Sequence, residues 1–238
     1  MTKTIHCCWL GDAPKTDLAK ICMESWRKFA PEWNVREWTL DDVRRASDAG
    51  EIAPVPRFFE DAVMARKWAF AADWVRFAAL HAEGGVYFDM DVELVAPFSA
   101  DGEFASGEYA LNGGTAVCAC VLALEKGSPA AAAMLEHYRS ERFETRRTVG
   151  ERLEAVLASR GISLPVTPPD VFCPIDIDGT LRSTERTIGI HRCAMSWATN
   201  RRKFARWLSW HGMRGVVDGL LSLRRGLLSA AGRTVCRS

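Results

Sequence analysis

The sequence predicts an α/β fold, on three observations. Short apolar runs alternate with longer helical patterns, in the order strand, helix, strand, helix from the start of the chain. A long stretch rich in Ala, Trp and Phe ends at Gly84-Gly85 and passes straight into the apolar run Val86-Tyr87-Phe88. The 238 residues, 48 % of them apolar, are enough to bury one substantial core and exclude general disorder.

The elements follow in order. Thr4-Ile5-His6-Cys7-Cys8-Trp9-Leu10 reads as a buried first strand, broken by Gly11-Asp12-Ala13-Pro14. His6, in mid-strand, reads as structural. A helix follows with Asp17 as its N-cap. Leu18, Ile21, Cys22, Ser25, Trp26 and Phe29 recur at three- and four-residue steps and predict one buried stripe. Val35 to Trp38 is a short second strand, and Thr39-Leu40-Asp41-Asp42 opens a helix with an acidic first turn. Residues 50–60, with Pro54 and Pro56, read as a loop. One long helix is expected from Ala62 to Glu83, with the glycine pair supplying a left-handed cap. Beyond it come a strand over 116–124, helices over 130–139 and 146–160, and a late strand over 171–175.

Charge is distributed unevenly. The formal net charge is +1, but residues 200–238 hold nine Arg or Lys against one acid, so residues 1–199 carry −7. This divides the chain into a mildly acidic body, 1–199, and a basic tail, 200–238. In the tail Phe204, Trp207, Leu208, Val216, Val217, Leu220 and Leu221 recur at helical spacing between the basic residues. Two readings stand for it: a helix suited to an anionic membrane surface, or a helix pair packed on the body with a solvated basic face. Nothing else in the chain supports nucleic acid as a partner. The eight cysteines lack C-x-x-C spacing and are expected to be reduced thiols, as in a reducing cytosol. With no basic-then-apolar leader and no span-length apolar run, the expected location is cytoplasmic, at the inner face of the membrane if the tail binds it.

Two pairs of residues carry the chemistry. Asp73 and Arg76 share one face of the long helix among Phe70, Ala72, Trp74, Val75 and Phe77, where unpaired charge is costly. A local ion pair and a ligand-facing role are both consistent with that setting. Asp89 and Asp91 alternate after the apolar run, so on a strand both would face one cation. A D-x-D is a weak signal alone, and Asp176-Ile177-Asp178 repeats it.

Four stretches together resemble the DXD-containing sugar-binding glycosyltransferases of family 32, and the glucosyltransferase domain of large clostridial toxins. They are Ile5 to Gly11 (I-H-x-x-W-x-G), Lys67 to Arg76 (A-x-x-S-D-x-x-R), Gly84 to Val92 (G-G-x-Y-x-D-x-D) and His191 to Trp197 (H-x-x-x-S-W in the family, with four residues between His191 and Ser196 here). The resemblance implies a GT-A fold, a nucleotide-binding sandwich around a mostly parallel sheet. It implies a hexosyltransferase that takes a nucleotide sugar, UDP-linked, and passes the sugar with retention to a saccharide or lipid-linked saccharide. By the same resemblance Trp9, Leu10 and Gly11 would hold the base, and Tyr87 would line the pocket. Asp73 and Arg76 would hold the sugar side. Asp91 would ligate Mn²⁺ or Mg²⁺ directly, with Asp89 bridging metal and ribose. His191 or Ser196 would be a third ligand, Trp197 would pack on the diphosphate, and Ser196 and Trp197 would belong to the nucleotide-sugar site. The chain departs from the family pattern at Ala72, where Ser is usual. It departs again at Val117 to Cys120, which lacks the usual Asn; Asn112 is the nearest amide.

Two other classes compete. Val171 to Leu181, an apolar run before D-x-D-G-T, resembles the nucleophile motif of haloacid dehalogenase-type phosphatases, with Asp176 attacking phosphate and Asp178 as acid/base. Against it, only 58 residues follow Thr180. The simpler account is a turn held by Asp178-Gly179. The third class is a non-catalytic module that binds a sugar nucleotide or a membrane.

Overall fold

The computed structural model describes residues 1–110 and 113–194. Fifteen elements follow in chain order: β1 (Thr4–Cys8), α1 (Asp17–Phe29), β2 (Asn34–Trp38), α2 (Leu40–Asp48), α3 (Arg57–Met64), α4 (Trp68–Glu83), β3 (Gly85–Phe88), β4 (Val92–Leu94), β5 (Phe104–Tyr109), β6 (Thr115–Leu124), α5 (Pro129–Ser140), α6 (Val149–Arg160), β7 (Val166–Thr167), α7 (Pro169–Phe172) and β8 (Gly189–His191). The expectations for Asn112, Ser196, Trp197 and the 200–238 tail lie outside the described residues.

The main sheet runs β2-β1-β3-β6-β5-β7. β1 lies between β2 and β3, parallel to both, and β7 runs parallel to β5. β6 is antiparallel to β3 and β5. A separate antiparallel pair, β4 with β8, stands beside the sheet. This is the expected mixed α/β sandwich.

Strand alternation assigns each side chain to a core. Ile5, Cys7, Val86 and Phe88 face one side, with Trp26 of α1, Phe98 and Phe172. Cys8, Trp38 and Tyr87 face the other, with Phe58, Trp74 and Leu80 from α3 and α4. His6, fully buried, takes up no functional position: its Nε2 lies 3.0 Å from Gly84 O and its Nδ1 accepts from Trp38 Nε1 at 3.2 Å.

Local chemistry corrects four expectations. Thr16, not Asp17, caps α1, because its hydroxyl accepts from Ala19 N at 3.2 Å. Ile21 leaves the buried stripe and is 51 % exposed; Cys22 and Trp26 carry the contact. The long helix is two, α3 and α4, separated where Arg66 takes φ 53°. Finally, 171–175 is not a strand. Pro168-Pro169 starts the short helix α7, where proline at the first turn costs no hydrogen bond. The acidic first turn expected at 41–42 is present as a capping box, with Thr39 and Asp42 bonded reciprocally.

Candidate functional site: an acidic cleft at the end of β3

The site begins with the closure of α4. Gly84 and Gly85 have φ 69° and 111°. A Cβ at Gly84 would lie 2.7 Å from Lys126 N, and one at Gly85 would lie 2.5 Å from Thr4 O. Only glycine lets the chain leave the helix and fall directly beside β1. Gly84 does not adopt the expected left-handed helical cap, since its ψ is −177°, extended backbone that glycine alone reaches at positive φ.

This turn sets α4 and β3 side by side, so Arg76 overlooks the end of the strand. Asp73 and Arg76 are buried, at 6 % and 3 % exposure. Arg76 Nη2 donates to Asp73 Oδ1 at 2.8 Å and to Asp89 Oδ1 at 3.2 Å. Its Nη1 donates to Ala119 O at 2.6 Å, where the chain takes φ 58°. The guanidinium lies 4.5 Å over the Tyr87 ring. Tyr87 thus borders the cleft but is covered by Arg76, and serves as the face on which that cation rests. Arg76 Nε is buried without a partner. The local ion pair is present, and both of its members line the cleft.

The D-x-D is not on a continuous strand as the alternation implied. β3 ends at Phe88, and Val92 N donates to Asp89 O at 3.0 Å, which turns the chain between the two acids. The carboxylates converge nonetheless. β8 runs antiparallel to β4 with His191 opposite Val92, and brings His191 Nε2 to 3.3 Å from Asp91 Oδ1. Ala194 N donates to Asp91 Oδ2 at 2.7 Å. Ligand atoms of Asp89, Asp91 and His191 all lie within 4.8 Å of one another. Two carboxylates and an imidazole fit a hard divalent cation such as Mn²⁺ or Mg²⁺.

The two acids differ electrostatically. Burial raises Asp89 to about 7, with Arg76 pulling the other way and Asp91 adding to the rise. Burial also acts on Asp91, but the charge and hydrogen bond of His191 and the Ala194 N–H outweigh it and hold Asp91 at about 2. Burial raises Asp73 to about 6 against the pull of Arg76.

These groups line one cleft of about 360 Å³, with Trp9, Leu10 and Gly11 on its wall, a volume suited to a small ligand. Trp9 follows β1, tied by its N–H to Trp38 O at 3.0 Å and by its indole N–H to Ala13 O at 2.7 Å. The sequence reading missed the other side. Trp68 opens α4 and packs so closely over the turn that a Cβ at Gly11 would lie 2.9 Å from its indole nitrogen. Arg147 and Thr148 also face the cleft. Their loop is pinned by fully buried Arg152, which donates to Arg147 O at 2.5 Å and to both Glu141 oxygens at 3.1 Å. Trp68 lay within a quoted motif and was the one available signal; Arg147 and Thr148 gave none.

The second D-x-D lies apart. Asp176 to Thr180 is a turn closed by the Ile175–Leu181 bridge. Asp176 Oδ2 accepts from Arg182 Nε at 2.6 Å and Asp178 Oδ1 from Thr180 N at 2.9 Å. Without a strand before it, Asp176 lacks the sheet-edge position that the phosphatase reading requires. The described cysteines are all free thiols, but not all scattered: Cys118, Cys120 and Cys173 meet beside His191.

Residues 16–107 match a family model described as the glycosyltransferase sugar-binding region containing the DXD motif; Asp73, Arg76, Asp89 and Asp91 lie within the match. No curated protein matches the chain. Among solved structures the fold is similar to that of the PaToxG glycosyltransferase, at 20 % identity and TM-score 0.51, over 67 % of this chain and 69 % of that one. It is also similar to a glycosyltransferase involved in the glycosylation of the major capsid of PBCV-1, at 14 % identity and TM-score 0.53, over 89 % and 98 % of the two chains. The matched region and the shared architecture are those of glycosyltransferases.

Proposed function

We propose that this chain, which carries the DXD glycosyltransferase region, is a metal-dependent retaining enzyme that moves a hexose from a nucleotide sugar, UDP-linked, to a saccharide or lipid-linked saccharide. The observation that carries the reading is the convergence of Asp89, Asp91 and His191 in one cleft with Trp9 and the buried Asp73–Arg76 pair.

Each residue has a task its surroundings support. Trp9 offers a flat face to the base, held at the carboxyl end of β1, where open α/β sheets receive ligands. Arg76 fixes Asp73 toward the sugar and Asp89 toward ribose and cation, so both carboxylates are oriented before substrate arrives. Asp91, ionised throughout the neutral range, is the direct ligand for Mn²⁺ or Mg²⁺, with Asp89 and His191 completing the set. A cation held there would neutralise the diphosphate leaving group. No described side chain is assigned as covalent nucleophile; attack on the face of departure, with the leaving phosphate taking the acceptor proton, requires none. Ser196 and Trp197 are proposed as further nucleotide-sugar-binding residues. Residues 1–199 form the catalytic unit, and the basic tail is its proposed contact with an anionic membrane.

The test is donor hydrolysis by purified protein with Mn²⁺ and a panel of UDP- and GDP-sugars. Release of nucleoside diphosphate from at least one donor is expected. Binding without release would favour a non-catalytic module, and neither binding nor release would end the proposal.

A further inference from the structure

Behind the acidic cleft, four side chains from three separate segments meet at one point. Cys118 and Cys120 come from β6, Cys173 from the end of α7, and His191 from β8. One ligand atom from each lies within 4.8 Å of all the others. Cys120 Sγ is 3.4 Å from Cys173 Sγ, and Cys118 Sγ is 3.6 Å from His191 Nδ1. A tetrahedral ion with metal–sulfur bonds of about 2.3 Å and a metal–nitrogen bond of about 2.0 Å needs sulfur–sulfur edges of about 3.8 Å and sulfur–nitrogen edges of about 3.5 Å. The Cys120–Cys173 and Cys118–His191 edges are close to those lengths, and the other edges lie within 4.8 Å. Cys120 and Cys173 are buried, at 0 % and 3 % exposure, while Cys118 and His191 border the cleft. The site therefore has a buried base and is reached from the cleft.

We infer that Cys118, Cys120, Cys173 and His191 Nδ1 form a site for a soft or borderline divalent metal, Zn²⁺ by its ligand set, distinct from the hard-cation site at Asp89 and Asp91. Three thiolates and one imidazole are a closed structural zinc set. Each thiol releases its proton to solvent as it takes the ion. The second observation lies on the far side of the ring. His191 Nε2 faces Asp91 Oδ1 at 3.3 Å, and a metal-bound histidine characteristically donates its other ring N–H to a carboxylate. With the ion on Nδ1, His191 Nε2 keeps its proton and orients Asp91 as a donor; His191 then leaves the hard-cation set proposed above, which is Asp89 and Asp91 alone. Two further groups adjoin the cluster. Ser106 Oγ is 3.2 Å from Cys120 Sγ. Cys193 Sγ is also 3.6 Å from His191 Nδ1, but Cys193 does not belong to the four mutually close residues.

The test uses the full chain, reduced, stripped with chelator and titrated without oxygen with Co²⁺. The expected result is one equivalent of Co²⁺ per chain that gives a thiolate-to-cobalt charge-transfer band and the strong visible bands of tetrahedral cobalt. Zn²⁺ should abolish them and excess Mn²⁺ should not. Cys118→Ser, at the more exposed corner, should lose or shift the band, while Cys193→Ser and Asp89→Asn should keep it. Asp91→Asn should keep the band but weaken Zn²⁺ binding by about 10- to 100-fold, as loss of a partner to a ligating histidine does. Absence of the charge-transfer band in folded wild-type protein overturns the site. So does a Cys120–Cys173 disulfide that re-forms in place of metal uptake, or a band lost on Cys193→Ser but kept on Cys118→Ser.

Discussion

Arg76 Nη2 stands 3.2 Å from Asp89 Oδ1 and so ties α4 to the acidic turn 13 residues later. The same nitrogen holds Asp73, and Nη1 holds Ala119 O. One planar cation thus fixes three segments of the cleft, a task for which the fork of an arginine is suited and a lysine is not.

Removing that cation leaves a buried carboxylate uncompensated. Arg76→Ala is expected to cost about 3–5 kcal/mol, read as a lower midpoint in urea unfolding. Arg76→Lys should recover only part, because its ammonium cannot reproduce the three directed bonds.

Cation binding should depend on pH through Asp89. Its carboxyl sits at about 7 and Asp91 at about 2, so of the two carboxylates only Asp89 must give up a proton to the ion near neutrality. Mn²⁺ affinity is then expected to be at least about tenfold weaker at about pH 6 than at about pH 8, by calorimetry. Asp89→Asn should remove the part of the slope that Asp89 supplies, leaving that of His191, whose imidazole is also held above its ordinary value. Stability of the metal-free fold runs the other way. Asp89 binds its proton more tightly folded than unfolded, so its contribution improves as pH falls from about 7 toward the ordinary carboxylate range. Asp91 is depressed, so the stability it adds is present above that range and is lost as pH falls toward about 2.

The glycine pair gives a prediction of stability alone. Gly85→Ala places a Cβ 2.5 Å from Thr4 O at φ 111°, and should cost more than about 1 kcal/mol. Calorimetric melting should show a lowered Tm, whereas Gly50→Ala, also at positive φ but with open space around it, should cost less.

Trp9 should bear on nucleotide binding more than on fold. Stacking of a base on an aromatic face contributes about 1–3 kcal/mol, so Trp9→Ala should weaken UDP binding by about 5- to 150-fold. Trp9→Phe should retain most of the affinity, because the face is kept and only the bond to Ala13 O is lost.

Much of this was legible in the sequence, for physical reasons. The first elements declared themselves because β1 is an apolar run buried on both faces and α1 carries an apolar stripe, and Asp73 with Arg76 stood out as charges in an apolar helix. The break at Arg66 was not legible, because a positive φ at a non-glycine residue leaves no mark in composition. Pro168-Pro169 did signal that α7 begins there, and the apolar run after it hid the signal. The thiol cluster escaped because its members come from β6, α7 and β8 and share no spacing. Trp68 was overlooked as core, and only its contact over Gly11 shows that it walls the cleft.

The central claim is that Asp91 holds a cation through which a nucleotide diphosphate binds this cleft. The direct measurement is calorimetry of UDP with and without Mn²⁺, on wild type and Asp91→Ala, with circular dichroism to show that both are folded. The account predicts that wild type binds UDP far more tightly with Mn²⁺ and that folded Asp91→Ala loses the dependence. Equal UDP affinity in the two proteins, or no effect of Mn²⁺ on wild type, would contradict it.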